Sequence, residues 1–207
     1  MKKKKRESPS PGQTKATIRR LRKELAQAKE LVEKLQASAD TDFLLGILNR
    51  RGFERELNRS IAYIKRYHAS GALIVLDVDR LKPINDAFGH AAGDRVLQAV
   101  VGAVTSQVRA SDVVGRLGGD EFAVLLWNLS ETDAQAKAAA LEEVIDGLSF
   151  AFDGRTAAAG ASTGVAILGA HSDAASALQE ADGAMYVRKA QRRHERSARD
   201  SPSAVMK

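Results

Sequence analysis

The sequence predicts an α/β fold, an α+β sandwich in which helices flank a central mixed, mainly antiparallel sheet, preceded by an N-terminal coiled-coil helix. Three observations lead to it. Past Asp40 the apolar spacing alternates between the helical period and short buried runs, an order of strands and helices that builds a layered sheet. Two strand-like runs flank Gly118-Gly119, a hairpin signal. Before Asp40, Ile18, Leu21, Leu25, Ala28, Val32 and Leu35 keep the alternating three- and four-residue spacing of a coiled-coil seam.

From the N-terminus, residues 1–13 are Lys-rich and then Ser/Pro/Gly-rich, a composition that predicts a disordered basic tail. Residues 14–39 carry the seam, with Glu24 and Lys29 at the g and following e positions that a parallel dimer pairs. So short a seam is marginal in isolation, so the helix needs a domain that dimerises with it. Residues 40–194 form the main domain. Within it 53–67 reads as helix, 72–76 as a buried strand, and 95–108 as a helix facing inward through Val96, Leu97, Val100, Val101, Val104 and Val108. Residues 113–117 and 122–127 are the arms of the hairpin, 134–148 a helix, 159–167 a strand and 174–193 a helix. Residues 195–207 are expected to be a flexible tail.

Of the 207 residues, 32 are Lys or Arg, 26 are Asp or Glu and none is Cys. The missing Cys excludes a disulfide framework, a thiolate nucleophile and a cysteine-based zinc site. No run approaches about 18 apolar residues, so no transmembrane segment is expected. Glu7-Ser8-Pro9-Ser10-Pro11 stands where a signal peptide would need its apolar stretch, which predicts a cytoplasmic protein. The net charge of +6 divides into +8 over residues 1–38, −7 over 39–186 and +5 over 187–207. An acidic body between basic ends argues for no nucleic acid as partner, and Pro9 and Pro11 interrupt the basic run a zipper-type DNA binder would need. Gly160-Ala161-Ser162-Thr163-Gly164 matches a hydrolase elbow, but Val165-Ala166-Ile167-Leu168 continues as strand where the elbow requires a helix.

Acidic side chains gather at predicted strand ends. Asp77 and Asp79 follow the buried strand, and period-two alternation points both to one face. Asp120 and Glu121 sit in the hairpin turn. Carboxylates at one sheet edge, with glycines beside them, suit a hard divalent cation holding a triphosphate. The turn reads Arg116-Leu117-Gly118-Gly119-Asp120-Glu121-Phe122, which resembles the signature of the GGDEF family, the diguanylate cyclases. Residues 42–53 are similar to that family's D-x-L-T-G-L-x-N-R-R-x-F, with Leu45 for Thr. Residues 77–94 are similar to D-x-D-x-F-K-x-x-N-D-x-x-G-H-x-x-G-D, with Leu81 for Phe. Residues 181–189 resemble A-D-x-A-L-Y-x-A-K, with Arg188 for Ala.

The resemblance implies a palm-like nucleotidyl-cyclase domain, and a homodimer that joins two GTP into cyclic di-GMP and two pyrophosphates. Mg²⁺ is the implied cofactor, with Mn²⁺ as its substitute. Asp77 and Asp120 would coordinate it, with the carbonyl of Val78. Glu121 would complete the metal site or take the proton of the attacking 3′-hydroxyl. Gly118 and Gly119 would bring backbone against the nucleotide. Lys82, Lys189 and Arg193, with the backbone N–H groups of Arg80 and Leu81, would hold the phosphates. Asp94 and Asn85 would read the base, and His90 would lie near base or ribose. A carboxylate accepts together the two adjacent donors of guanine's Watson–Crick edge, whereas adenine's bare acceptor would face it unpaired, so GTP is favoured. Arg109 and Asp112, an R-x-x-D ahead of the turn, resemble the family's inhibitory product-binding site. The alternative is a catalytically silent module that binds cyclic di-GMP and acts through protein partners.

Overall fold

The apolar run at 72–76 is the centre of a longer strand, β1 (Gly71–Asp79), in which every residue is buried. The computed structural model in which it is seen describes residue 15, residues 19–27, residue 29 and residues 39–200. Residues 19–27 are helical, and Leu21 and Leu25 of the expected seam are exposed. Ile18, Ala28, Val32 and Leu35 of that seam, the tail 1–13 and residues 201–207 lie outside the described residues. The chain divides into Met1–Ala39 and Asp40–Lys207.

In the second unit β1 is central. Its neighbours are β3 (Glu121–Trp127) and β6 (Gly160–Leu168), and β2 (Val113–Gly118) lies outside β3, giving the order β2-β3-β1-β6. All three pairings are antiparallel. A parallel bridge from Leu48 to Gly115 makes the sheet mixed. The apolar alternation of β1 sorts the helices onto two faces. Ala72, Ile74, Leu76 and Val78 pack with α2 (Leu81–Phe88), α3 (His90–Ser106) and α4 (Glu131–Asp146). Leu73 and Val75 pack with α1 (Arg50–Tyr67) and α5 (Ala174–Asp200). Phe53, Leu57, Ile61 and Ile64 form the buried stripe of α1, and each full burial contributes about 1.5–3 kcal/mol. Asn49 caps α1 by accepting from the Gly52 N–H, and Ser130 caps α4 by accepting from Asp133 N–H. Gly164 lies in the interior of β6, where a Cβ would collide with the Ala181 carbonyl of α5, so the G-x-S-x-G match reflects close helix–strand packing.

The structure departs from expectation in three places. Residues 81–88 form a separate helix, because Arg80 at φ 67° breaks the strand direction and Pro83 lies in the first turn, where its missing N–H costs nothing. A second sheet, β4 (Ser149–Phe152) paired with β5 (Arg155–Ala158), stands between α4 and β6. And α5 runs on to Asp200, so the stretch from 195 expected as tail begins as helix.

Candidate active site

The sheet brings the predicted acids together at the end of β1. Asp77 pairs across the ladder with Glu121, and the Val78 N–H donates to the Asp120 carbonyl at 2.9 Å. Asp77 and Asp79 share the α1/α5 face, as alternation requires. Asp77 is only 5% exposed, and its Oδ1 accepts from Lys189 Nζ of α5 at 2.6 Å. Burial pushes the Asp77 pKa up, Lys189 opposes it, Asp120 and Asp79 add to it, and the net shift is upward. Glu121 is raised as well, by burial first and then by Asp182, Asp77 and Asp120, against Arg50. A set of partly desolvated carboxylates repelling one another suits a hard cation with oxygen ligands. Among the described residues no three acidic, His or Cys side chains close into a ready-made cation site. Mg²⁺ needs no such cage, since it takes one or two carboxylates and completes its shell with water and substrate phosphate. The residues fit it.

The hairpin turn is braced from behind. Arg116 donates from Nε and Nη2 to the Gly119 carbonyl at 3.0 and 2.6 Å, and from Nη1 to Asp42 at 3.0 Å. Arg50 Nε donates to the Leu117 carbonyl at 2.7 Å. Gly119 adopts φ 44°, which favours glycine, and a Cβ on Gly118 or Gly119 would meet no protein atom within 4 Å. No protein packing asks for glycine at 118, which fits the expectation that the backbone there faces a ligand. Lys82 and Arg193 are exposed; Arg80 and Leu81 form the turn into α2.

Asn85 meets Gly93, the residue before Asp94, at the α2–α3 corner. Gly93 is pressed against the Asn85 side chain so closely that a Cβ would overlap its Oδ1. That Oδ1 is buried without a hydrogen-bond partner, an orphan acceptor of the kind a ligand satisfies. Asp94 is exposed in the first turns of α3, and His90 is its exposed first residue. Arg109 and Asp112 lie at the other end of β2, about 20 Å from the turn at roughly 3.3 Å per residue. The Asp112 carboxylate accepts from the Arg109 and Trp127 backbone N–H groups at 2.8 and 3.3 Å, while the Arg109 side chain is exposed beside a cavity of about 480 Å³.

Residues 39–195 match the family described as "Diguanylate cyclase, GGDEF domain". The chain belongs to this family. Its GGDEF domain is 40% identical over 164 residues to diguanylate cyclase TpbB of Pseudomonas aeruginosa, covering 78% of this chain and 38% of that protein. It is 34% identical over 167 residues to the probable diguanylate cyclase DgcE of Escherichia coli, covering 80% and 15%. The chain thus spans well under two thirds of either relative's length. The solved GGDEF domain of TpbB matches with a TM-score of 0.68 at 40% identity, over 73% of this chain and 89% of that one. The coiled coil and GGDEF domain of DgcB from Caulobacter crescentus, solved in complex with c-di-GMP, matches at 0.74 and 24% identity, over 86% and 95%, a likeness of fold.

Several residues of this GGDEF domain were not singled out from sequence. Asp42, Arg50 and Arg116 hold the signature turn, and the first two lie inside the 42–53 block, so the block marked them without revealing their partner. Asp182 and Gln179 of α5 line a cavity of about 330 Å³ with Arg50, Glu54 and Glu121. Arg188 and Arg192 of α5 join an ion cluster with Asp79, Glu142 and Asp146, of which Arg192, Asp79 and Glu142 are buried.

Proposed function

We propose that this chain is a diguanylate cyclase that condenses two GTP into cyclic di-GMP with release of two pyrophosphates, as a homodimer. The observation that carries the reading is the meeting of Asp77, Asp120 and Glu121 with Lys189 beside the Gly-Gly turn, in a chain of the GGDEF family. Asp77 and Asp120, with the Val78 carbonyl, would hold Mg²⁺, which neutralises charge on the reacting phosphate. Lys189, Lys82 and Arg193, with the N–H groups of Arg80 and Leu81, hold the triphosphate. The 3′-oxygen bonds to the α-phosphorus of the facing GTP, the bond from that phosphorus to the bridging oxygen breaks, and pyrophosphate leaves. Glu121 takes the hydroxyl proton, or serves as a ligand while solvent water takes the proton. A cyclic product needs two such bonds, so two domains face each other, and the orientation they provide is the main catalytic gain. A helix over 14–39 that paired two chains would raise the concentration of one domain at the other. The test is incubation with GTP and Mg²⁺ followed by separation of nucleotides. Cyclic di-GMP supports the reading, whereas tight binding of added cyclic di-GMP without any synthesis favours the silent module.

Asn85 and Asp94 carry base choice in this reading. Asp94→Ala removes the paired acceptor for guanine, which corresponds to about 1–3 kcal/mol, or roughly 5- to 150-fold in GTP KM. The preference for GTP over ATP shrinks by the same factor, measured as the ratio of kcat/KM for the two nucleotides. Arg109 and Asp112 bind product. Arg109→Ala is expected to leave turnover intact and abolish inhibition by added cyclic di-GMP, since the exposed guanidinium is the group free to grip a phosphate. Equal inhibition of both forms would remove that site from the account.

A further inference from the structure

The C-terminal half of α5 is held differently from the rest of the domain. Its first half is anchored by buried Ala177, Ala181 and Met185. Beyond Met185, among the described residues, the one buried side chain is Arg192, at 8% exposure. Lys189 sits on this stretch.

Arg192 uses every nitrogen of its guanidinium. Nε donates to Asp79 Oδ2 at 3.3 Å, Nη1 to Glu142 Oε2 at 3.3 Å, and Nη2 to both oxygens of Asp146 at 2.5 and 2.7 Å. Arg188, one turn earlier, donates from Nε and Nη2 to Glu142 Oε2 at 3.0 and 2.8 Å. The other Glu142 oxygen accepts from the Thr163 N–H and hydroxyl, both at 2.9 Å. Asp79 Oδ1 accepts from the Ser162 hydroxyl at 3.1 Å. The cluster therefore reaches around the β6 edge of the sheet, tying α5 on one face to α4 on the other. Asp77 and Asp79 lie two apart on β1, and Lys189 and Arg192 three apart on α5, so the two ion pairs fasten one stretch of helix to one strand end.

We infer that Arg192 is a positioning residue: by locking the C-terminal half of α5 to β1 and α4, it fixes Lys189 over Asp77. The inference rests on the reading that Lys189 holds substrate phosphates. A lysine ammonium on its flexible four-carbon stem is placed only as well as its own backbone is, and a displacement of about 1 Å costs on the order of 100-fold in a positioned reaction. Arg188, which stands where the family pattern has Ala, adds a second guanidinium to the same Glu142 carboxylate.

The test uses the full chain with Arg192→Met, Lys189→Met and the double variant, assayed with GTP and Mg²⁺. Arg192→Met alone is expected to raise GTP KM about tenfold, with a smaller change in kcat. In the Lys189→Met background the same substitution should raise KM clearly less than about tenfold, because the part of its effect that passes through Lys189 is gone and only that on the adjacent Arg193 remains. A single variant with unchanged KM, or effects that multiply in the double variant, would overturn the inference. If Arg192→Met fails to fold by circular dichroism, Arg192→Lys, which keeps the charge but not the fork, is judged by the same criterion. Hydrogen exchange of residues 186–197 gives a second readout that needs no turnover. Faster exchange there, with 174–185 unchanged, is expected in the Arg192 variant, and unchanged exchange contradicts the clamp. Wild type that makes no cyclic di-GMP would defeat the proposed function alone, leaving hydrogen exchange to decide the clamp.

Discussion

Asp77→Asn is expected to lower cyclic di-GMP synthesis at least about a thousandfold while leaving the domain as stable as wild type or more so. The activity loss follows from the role proposed for the carboxylate: metal-assisted neutralisation is worth several kcal/mol, and each 1.36 kcal/mol is tenfold in rate. The stability follows from the burial. Asp77 is desolvated and repelled by Asp120 and Asp79, and the single Lys189 contact does not cancel these, so its pKa stands above the usual value. For a carboxylate with a raised folded pKa, the charged form is disfavoured in the folded state relative to the unfolded one. Above that pKa the protein therefore carries a cost that Asn removes. Urea unfolding at pH 7 beside product assays checks both halves. A variant that loses activity and stability together would mean that Asp77 is a structural acid. This pattern, an acid costly to the fold and kept for chemistry, is expected of functional sites.

Glu142→Ala carries the largest expected change in stability, a loss of about 3–5 kcal/mol toward the lower end of that range. It leaves the buried Arg192 side chain short of a partner and strips the Thr163 N–H of its acceptor, whereas the Arg188 side chain is 35% exposed and regains water. Glu142 also sets a pH dependence. Burial pushes its pKa up, but the hydrogen bonds from Arg188 and Thr163 pull it below the ordinary value of 4.5. A carboxylate with a lowered folded pKa stabilises fully above its unfolded value and loses that contribution as the pH falls through the folded one. The stability advantage of wild type over Glu142→Gln is thus expected to be full above about pH 4.5 and to shrink below it, read by urea unfolding between pH 7 and 3. An advantage constant over that range would show that the charge on Glu142 does not stabilise the fold.

The residues of the signature turn, the Asp-x-Asp strand end and the Asn85–Asp94 segment were legible because each lies within a short motif, and β1, β3 and β6 pack them as alternation requires. The β4–β5 hairpin carries a sequence signal in its turn alone. Asp153-Gly154 is a two-residue turn with φ 50° and 74°, the chemistry of a type I′ hairpin between Phe152 and Arg155. Its strands are too short to show a period. The Arg188–Glu142–Arg192 cluster was not legible. Charges three and four apart on a helix read as a solvated face, and only the sheet, by ending at β6, lets α4 and α5 meet around its edge. For the same reason Asp79, grouped with Asp77 by alternation, turns out to be held by Arg192 and Ser162.

Every proposed role rests on synthesis of cyclic di-GMP by this chain with Glu121 at the reacting centre. The deciding experiment incubates wild type and Glu121→Gln with GTP and Mg²⁺ and measures cyclic di-GMP and pyrophosphate in parallel. Wild type is expected to release two pyrophosphates per cyclic di-GMP, and the variant to work at a rate lower by about 100- to 10,000-fold. Pyrophosphate without cyclic di-GMP, or equal synthesis by both proteins, would contradict this.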